Sequence, residues 1–255
     1  MHYVLADIHG NTEAFDQVLS MIDMKDNDHL YILGDVVDRG PDGIALLQRI
    51  RKMANTTLLL GNHEYMMINA LWHPENTRYR SIWQRNGCEP TYDAFCTLDK
   101  DAQEDLLQYL ESLPLQTEVS LKTTKGDSTF VLVHAAPKEL YETDGWQNEN
   151  EREFVVWYRM PLVLPEQLSE KKLVFGHTPT ENVQRIDWPK MRIAYGEGVI
   201  DIDCGCAYPQ YGGQLGCLRL EDMTEYYSEE GVVTADEAAA WKSEKYIGKR
   251  IDLTL

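Results

Sequence analysis

Residues 31–40 read YILGDVVDRG: an apolar strand, Tyr31 to Leu33, runs straight into Gly34 and then Asp35, Asp38 and Arg39. Upstream lie a short apolar strand, Tyr3–Ala6, and the segment Thr12–Ile22, with Ala14, Phe15, Val18, Leu19 and Ile22 at helical spacing. Downstream, a Pro41-Asp42-Gly43 turn opens a helix over Gly43–Met53, Thr57–Leu60 reads as a third strand, and Tyr65–Leu71 begins another helix. This βαβαβ order predicts a sheet covered by helices. Residues 72–113 are polar and helical in character; Asp99–Leu113 is the clearest helix, stopped by Pro114. From Gln116 onward the pattern changes. Leu115–Lys122 and Thr129–His134 predict a hairpin about Gly126-Asp127, and Leu173–Phe175, Val199–Ile202 and Leu215–Leu220 are further strands. Thr234–Lys245 predicts a C-terminal helix. An α/β front half and a strand-rich rear half are reconciled by two packed mixed β-sheets, a β-sandwich, flanked by helices. The expectation is one domain over residues 1–255, with 223–255 as an extension carrying no motif.

The totals narrow the function. The chain has 255 residues, 43% of them hydrophobic, and a formal charge of -18. Such a length buries a sizeable core, and such a charge repels nucleic-acid phosphates, so no nucleic-acid partner is expected. Cysteines 88, 96, 204, 206 and 217 are too sparse for a disulfide framework, and Cys204-Gly-Cys206 is not a zinc knuckle. They read as reduced, packed thiols. The stretch MHYVLADIHGN lacks a basic region followed by a long apolar one, and no segment approaches the roughly 20 apolar residues of a membrane span. The expectation is a cytoplasmic protein without a membrane partner.

Polar residues collect where the strands end. The first strand ends in Asp7-Ile8-His9-Gly10, the second in Gly34-Asp35, the third in Gly61-Asn62-His63-Glu64. Phe130–Val133 ends in His134, and Leu173–Phe175 ends in Gly176-His177. One such residue says little: Asp before a helix is commonly an N-cap, and Asn-His a turn. Five in succession, each after an apolar strand, point to a shared crevice at the carboxyl ends of a sheet. Carboxylate, amide and imidazole donors without thiolate suit Mn, Fe or Zn. Six ligands exceed what one catalytic ion with open positions needs and suit two ions bridged by one carboxylate. Asp35 is the natural bridge. Asp7 and His9, one residue apart on an extended segment, point to the same side and can chelate one ion; Asn62, His134 and His177 complete the other.

The set Asp7-x-His9, Gly34-Asp35-x-x-Asp38-Arg39-Gly40, Gly61-Asn62-His63-Glu64, His134 and Gly176-His177 resembles the signature of the calcineurin-like metallophosphoesterases. VVDRG and GNHE look like the serine/threonine phosphatase branch, including its phage-lambda-type bacterial enzymes; VFGHTPT and DCGCAYPQYGGQLGCLRLED are similar to that group too. The resemblance implies a metallophosphoesterase-type sandwich with two divalent metals at one edge, manganese expected and iron or zinc as alternatives. A water or hydroxide held by both metals would attack phosphorus directly. His63 would be the general acid, oriented by Asp38; Arg39 would grip phosphate, and Arg159, in Trp157-Tyr158-Arg159, would be the second phosphate-binding arginine. Ala6 stands where the family usually carries glycine, and Ala135-Ala136 where Gly-Gly or Ala-Gly is common, which predicts added bulk near the metals. The acidic tract ETDGWQNENERE reads as a solvated surface loop.

The resulting expectation is a metal-dependent phosphomonoester hydrolase, a protein serine/threonine phosphatase, with a phosphoprotein or small phosphoester as partner. The enzymatic alternative is a symmetrical diadenosine tetraphosphate hydrolase, a branch that usually has Val-Ala-Arg-Gly and Gly-Asn-His-Asp where this chain has Val37-Asp38-Arg39-Gly40 and Gly61-Asn62-His63-Glu64. The non-enzymatic alternative is a silent metal-binding module, which would commonly have lost a ligand or the acid histidine.

Overall fold

The computed structural model describes residues 1–75, 77–141, 150–184 and 189–238. The front half alternates as expected: β1 (His2–Leu5), α1 (Thr12–Ile22), β2 (His29–Ile32), α2 (Gly43–Ile50), β3 (Thr56–Leu58) and α3 (Asn62–Trp72). Asn11 caps α1 by accepting the Ala14 N–H at 3.0 Å. The polar middle is three helices, α4 (Thr77–Arg85), α5 (Glu89–Cys96) and α6 (Lys100–Glu111), the last capped by Asp99. Then come β4 (Gln116–Thr123), β5 (Gly126–Val133), α7 (Glu151–Trp157), β6 (Lys172–Phe175), α8 (Thr180–Gln184), β7 (Ala194–Tyr195), β8 (Val199–Asp201), β9 (Gly216–Arg219), β10 (Thr224–Tyr227) and β11 (Gly231–Val233).

Two mixed sheets result, in the orders β11-β10-β9-β1-β2-β3 and β4-β5-β6-β8-β7. In the first, β1, β2 and β3 are parallel, His2 opposite His29 and Leu30 opposite Thr56. In the second, β5, β6 and β8 are parallel. One apolar cluster lies between the sheets, with Val4, Leu33, Phe130, Val174 and Leu218 at its centre. A second packs the first sheet under the helices through Phe15, Leu47, Met66 and Leu110. A third packs Phe154 and Val155 of α7 on Val131, Leu173 and Phe175. The β-sandwich flanked by helices is therefore confirmed, and its layering points the carboxyl ends of β1, β2, β3, β5, β6 and β8 toward one edge.

Some boundaries differ from expectation. The hairpin turns at Thr124-Lys125, and Gly126 already pairs with Thr123. The Thr123 hydroxyl closes that turn, accepting the Lys125 N–H at 3.1 Å and donating to Gly126 O at 2.8 Å, a role that glycine-led reasoning overlooked. Residues 224–233, expected to be part of an extension, add two strands to the first sheet. Helix is entered at 235, and the rest of the C-terminal helix expected to reach Lys245 lies outside the described residues. Of the acidic tract, 142–149 also lies outside them. Its tail is helical rather than a solvated loop: Asn150 caps α7 by accepting the Glu153 N–H at 2.8 Å, and Glu153 is buried against Arg78.

Candidate metal centre

The parallel ladder of β1 and β2 continues past both strand ends. Asp7 N–H donates to Gly34 O at 3.2 Å, His9 N–H to Asp35 O at 2.9 Å and Gly10 N–H to Val36 O at 2.7 Å. This lays the Asp7-His9 loop beside Asp35. The loop is not extended, contrary to expectation: φ is 56° at Asp7, 49° at His9 and 54° at Asp35. Asp38, Arg39 and His177 also have positive φ, at 70°, 67° and 71°. Only Asp23, Asn55 and Met223 join them among the described non-glycine residues, so left-handed backbone is concentrated at this edge. Such strain persists where surrounding contacts over-determine it, as at ligand sites.

Asp35 sits between two pairs of imidazoles. Its Oδ2 is 3.8 Å from His9 Nε2 and 3.9 Å from His63 Nε2; its Oδ1 is 3.5 Å from His134 Nε2 and accepts the His63 backbone N–H at 2.9 Å. The His9 and His63 rings meet edge to face at 4.6 Å, and His134 and His177 do so at 5.1 Å. Two donor groups emerge, His9-Asp35-His63 and Asp35-His134-His177, each with its ligand atoms within 4.8 Å of one another. Asn62, the first residue of α3, places its Oδ1 2.9 Å from both His134 Nε2 and His177 Nδ1. Asp7 belongs to neither group; its Oδ2 accepts the His177 N–H at 3.0 Å. Two glycines permit these approaches: a Cβ on Gly61 would run into Asp35 Oδ1, and one on Gly176 into Asp7 Oδ2.

The donor chemistry fits divalent cations. Burial, and then His63, hold the His9 imidazole well below its usual pKa; burial and then His134 do the same to His177, and burial lowers His134. These shifts favour the neutral ring, the form in which imidazole ligates. His9 Nδ1 donates to Val37 O at 3.0 Å and His134 Nδ1 to Leu33 O at 2.7 Å, which fixes the proton on Nδ1 and leaves Nε2 as a lone pair. His134 Nε2 then faces two further acceptors, Asn62 Oδ1 and Asp35 Oδ1, with no proton between them. His177 Nε2 is buried without a hydrogen-bond partner. Burial, then Asp203 and then Asp35, push the Asp7 carboxyl well above the usual carboxylate range. Converging lone pairs and crowded buried carboxylates are what a bound cation relieves.

The remaining expected residues come to the same edge. His63 Nδ1 is 2.6 Å from Asp38 Oδ2, and both side chains are buried. Arg39 stands at the rim, its Nη1 2.8 Å from His9 Nε2 and its guanidinium 5.1 Å over the Tyr208 ring. Arg159 is exposed, with Nη1 3.5 Å from the hydroxyl of Thr178, next to His177. The alanines are buried: Ala6 packs in the inter-sheet cluster with its Cβ facing Gly176 near Asp7, Ala136 packs in the cluster under α7, and Ala135 is fully buried. The five cysteines are unpaired, and no thiol joins a donor group among the described residues.

Sequence reasoning missed Asp203, Trp83 and Tyr208. Asp203 is buried just beyond β8, its Oδ1 accepting the Gly205 N–H at 2.9 Å, and burial pushes it up to about 6. The signal was present, since Asp203 follows an apolar strand as Asp7 and Asp35 do. Trp83 donates its indole N–H to Asp38 Oδ2 at 2.8 Å from a helix with no motif.

The profile of the calcineurin-like phosphoesterases matches residues 3–204. Serine/threonine-protein phosphatase 1 of Salmonella typhimurium is 29% identical over 233 residues, covering 86% of this chain and 91% of that protein. A symmetrical bis(5'-nucleosyl)-tetraphosphatase of Acidovorax sp. is 31% identical over 135 residues, 52% of this chain and 43% of that protein. Among solved structures, a cold-active protein-tyrosine phosphatase of a psychrophile, Shewanella sp., superposes with a TM-score of 0.56 at 16% identity, covering 91% of this chain and 79% of that one. At that identity the likeness is one of fold.

Proposed function

Because the chain belongs to the calcineurin-like phosphoesterase family, we propose that it is a metal-dependent phosphomonoester hydrolase acting on phosphoserine or phosphothreonine in proteins. The observation that carries this reading is the placement of the Asp35 carboxylate between two imidazole pairs, with the His63–Asp38 couple and Arg39 on the same edge. Asp7, His9 and Asp35 would hold one divalent cation and Asp35, Asn62, His134 and His177 a second, with manganese expected. Bound there, such cations supply Lewis-acid charge to a phosphoryl group and make water a nucleophile at neutral pH.

The chain's own residues do the rest. Arg39 presents a planar fork to two phosphate oxygens, steadied from behind by the Tyr208 ring. Arg159 adds charge beside Thr178. Asp38 keeps a proton on His63 Nδ1, so Nε2 is the atom that gives its proton to the leaving oxygen. Nε2 is buried and has no hydrogen-bond partner, leaving it available for that transfer.

Asp38 also favours a phosphoprotein over a dinucleotide, because the tetraphosphatase branch usually carries alanine at that position. The second reading, a symmetrical dinucleoside tetraphosphate hydrolase, rests on the Acidovorax relative. We read residues 1–255 as one catalytic domain, supported by the cluster shared between the two sheets. Unpaired cysteines support a cytoplasmic setting, and among the described residues no helix is long and apolar enough to cross a membrane. A parallel panel with manganese tests the substrate: a phosphoserine peptide, p-nitrophenyl phosphate and diadenosine tetraphosphate. Preferred hydrolysis of the monoesters is expected. A higher kcat/KM on the dinucleotide would select the second reading, and bound metal without turnover of any ester would leave a binding module.

A further inference from the structure

Asp38 and Arg39 are consecutive residues in left-handed backbone, a costly arrangement for side-chain-bearing residues. Three ties from residues 83–91 brace them. The Asp38 N–H donates to Thr91 Oγ1 at 2.8 Å, the Arg39 N–H donates to Gly87 O at 2.8 Å, and the Trp83 indole N–H donates to Asp38 Oδ2 at 2.8 Å. The third differs in kind, because it reaches the carboxylate itself. Oδ2 is the oxygen that meets His63 Nδ1, while Oδ1 is buried without a partner. An indole can only donate. Its N–H therefore selects which carboxylate oxygen is turned toward Trp83 and His63 together, and stops the Asp38 side chain from rotating away. Trp83 is itself fixed, 3% exposed on α4 and edge-on to Tyr92 at 6.2 Å.

We propose that Trp83 is a positioning residue for proton delivery: its indole N–H aims Asp38 Oδ2 at His63 and so directs the His63 proton to the leaving oxygen. This rests on the phosphoesterase reading above. Trp83 touches neither substrate nor the donor groups, so its effect depends on how much the leaving group needs a proton. Phenyl phosphate, which expels a basic phenoxide, needs it more than p-nitrophenyl phosphate does.

The test is Trp83→Phe, which keeps an aromatic ring and removes the donor, assayed on both esters in the manganese-loaded full chain. Turnover of phenyl phosphate is expected to fall about tenfold or more, and that of p-nitrophenyl phosphate by less than about threefold. The ratio of the two rates does not depend on the fraction of active protein, so partial misfolding cannot imitate the result. In a His63→Asn background, Trp83→Phe is expected to leave the ratio unchanged. Trp83→His, which retains a ring N–H, is expected to recover part of the phenyl phosphate rate and serves if the Phe variant does not fold. Equal losses on both esters, or no loss, would overturn the role of Trp83 while leaving the hydrolase reading intact. Failure of the wild-type protein to hydrolyse either ester would overturn both.

Discussion

Glu64 Oε2 accepts the backbone N–H of Asp35 at 2.8 Å. The same carboxylate takes the N–H groups of Val36 at 2.8 Å, Val37 at 3.2 Å and Gly61 at 3.1 Å. One buried side chain thus locks the loop carrying Asp35 to the first turn of α3, which carries Asn62 and His63. Burial, and then Asp35, push Glu64 up to about 7.

Metal-free protein is therefore expected to lose the stability that Glu64 contributes as the pH rises from about 4.5 to about 7. A folded carboxyl at about 7, against 4.5 when unfolded, binds its proton more tightly in the native state. That contribution is complete below the unfolded value and is lost as pH climbs through the folded one. Asp7 and Asp201, also raised, act in the same direction. The buried histidines His9, His134 and His177, lowered in the fold, act in the opposite direction up to about pH 7, so the Glu64 contribution is read against a Glu64→Gln variant that keeps them. The slope is up to about 1.4 kcal/mol per pH unit per proton. Thermal unfolding of wild type and Glu64→Gln in EDTA across this range measures it; a wild-type Tm that does not fall relative to the variant as pH rises contradicts it. Added manganese is expected to flatten the dependence.

His63→Asn is expected to lower kcat about 10²- to 10⁴-fold on phosphoserine peptide. Asp38→Asn should lower it less, since the imidazole remains but its orienting acceptor is weakened. Metal content by elemental analysis should stay near wild type in both. A His63 variant that loses metal and activity together would make His63 a ligand, as its place beside His9 and Asp35 geometrically allows.

Arg39 and Arg159 are expected to separate in size. Arg39→Lys keeps the charge but loses the fork and should cost about tenfold in kcat/KM, with Arg39→Ala about 10²-fold. Arg159→Ala should cost less than about tenfold, because that side chain is exposed and reaches the site through Thr178 and through its charge near His177 and Asp203. Steady-state kinetics on one monoester decides; equal losses would put both guanidiniums on the phosphate.

Gly176→Ala places a methyl group against Asp7 Oδ2 and Ala6 Cβ. Asp7 must then move, and manganese affinity is expected to fall about 10- to 100-fold while the fold survives. Calorimetric titration of metal into the apo variant checks this. Unchanged affinity would remove Asp7 from the ligands.

The frame of the site was legible because its logic is local. Each of Asp7, Asp35, Asn62, His134 and His177 follows an apolar strand, three of them after one glycine, and periodicity places strands well. What stayed hidden depends on contacts across the chain. Trp83 lies 45 positions from the carboxylate it meets, on a helix whose polar composition gave no sign of it. Tyr208 sits in a loop whose approach to Arg39 only the fold determines. Thr123 closing its own turn, and β10 and β11 completing a sheet from what read as an extension, were lost to weak local signals in short segments. The left-handed backbone at Asp7 and His9 overrode an extended reading because the loop must follow the β2 end rather than its own preference.

The central claim is that Asp35 bridges two cations. Crystals soaked in manganese and measured for anomalous scattering test it directly. Two peaks are expected, one on the side of His9 and one on the side of His134 and His177, with Asp35 reaching both. A single peak, or peaks that Asp35 does not touch, would contradict it.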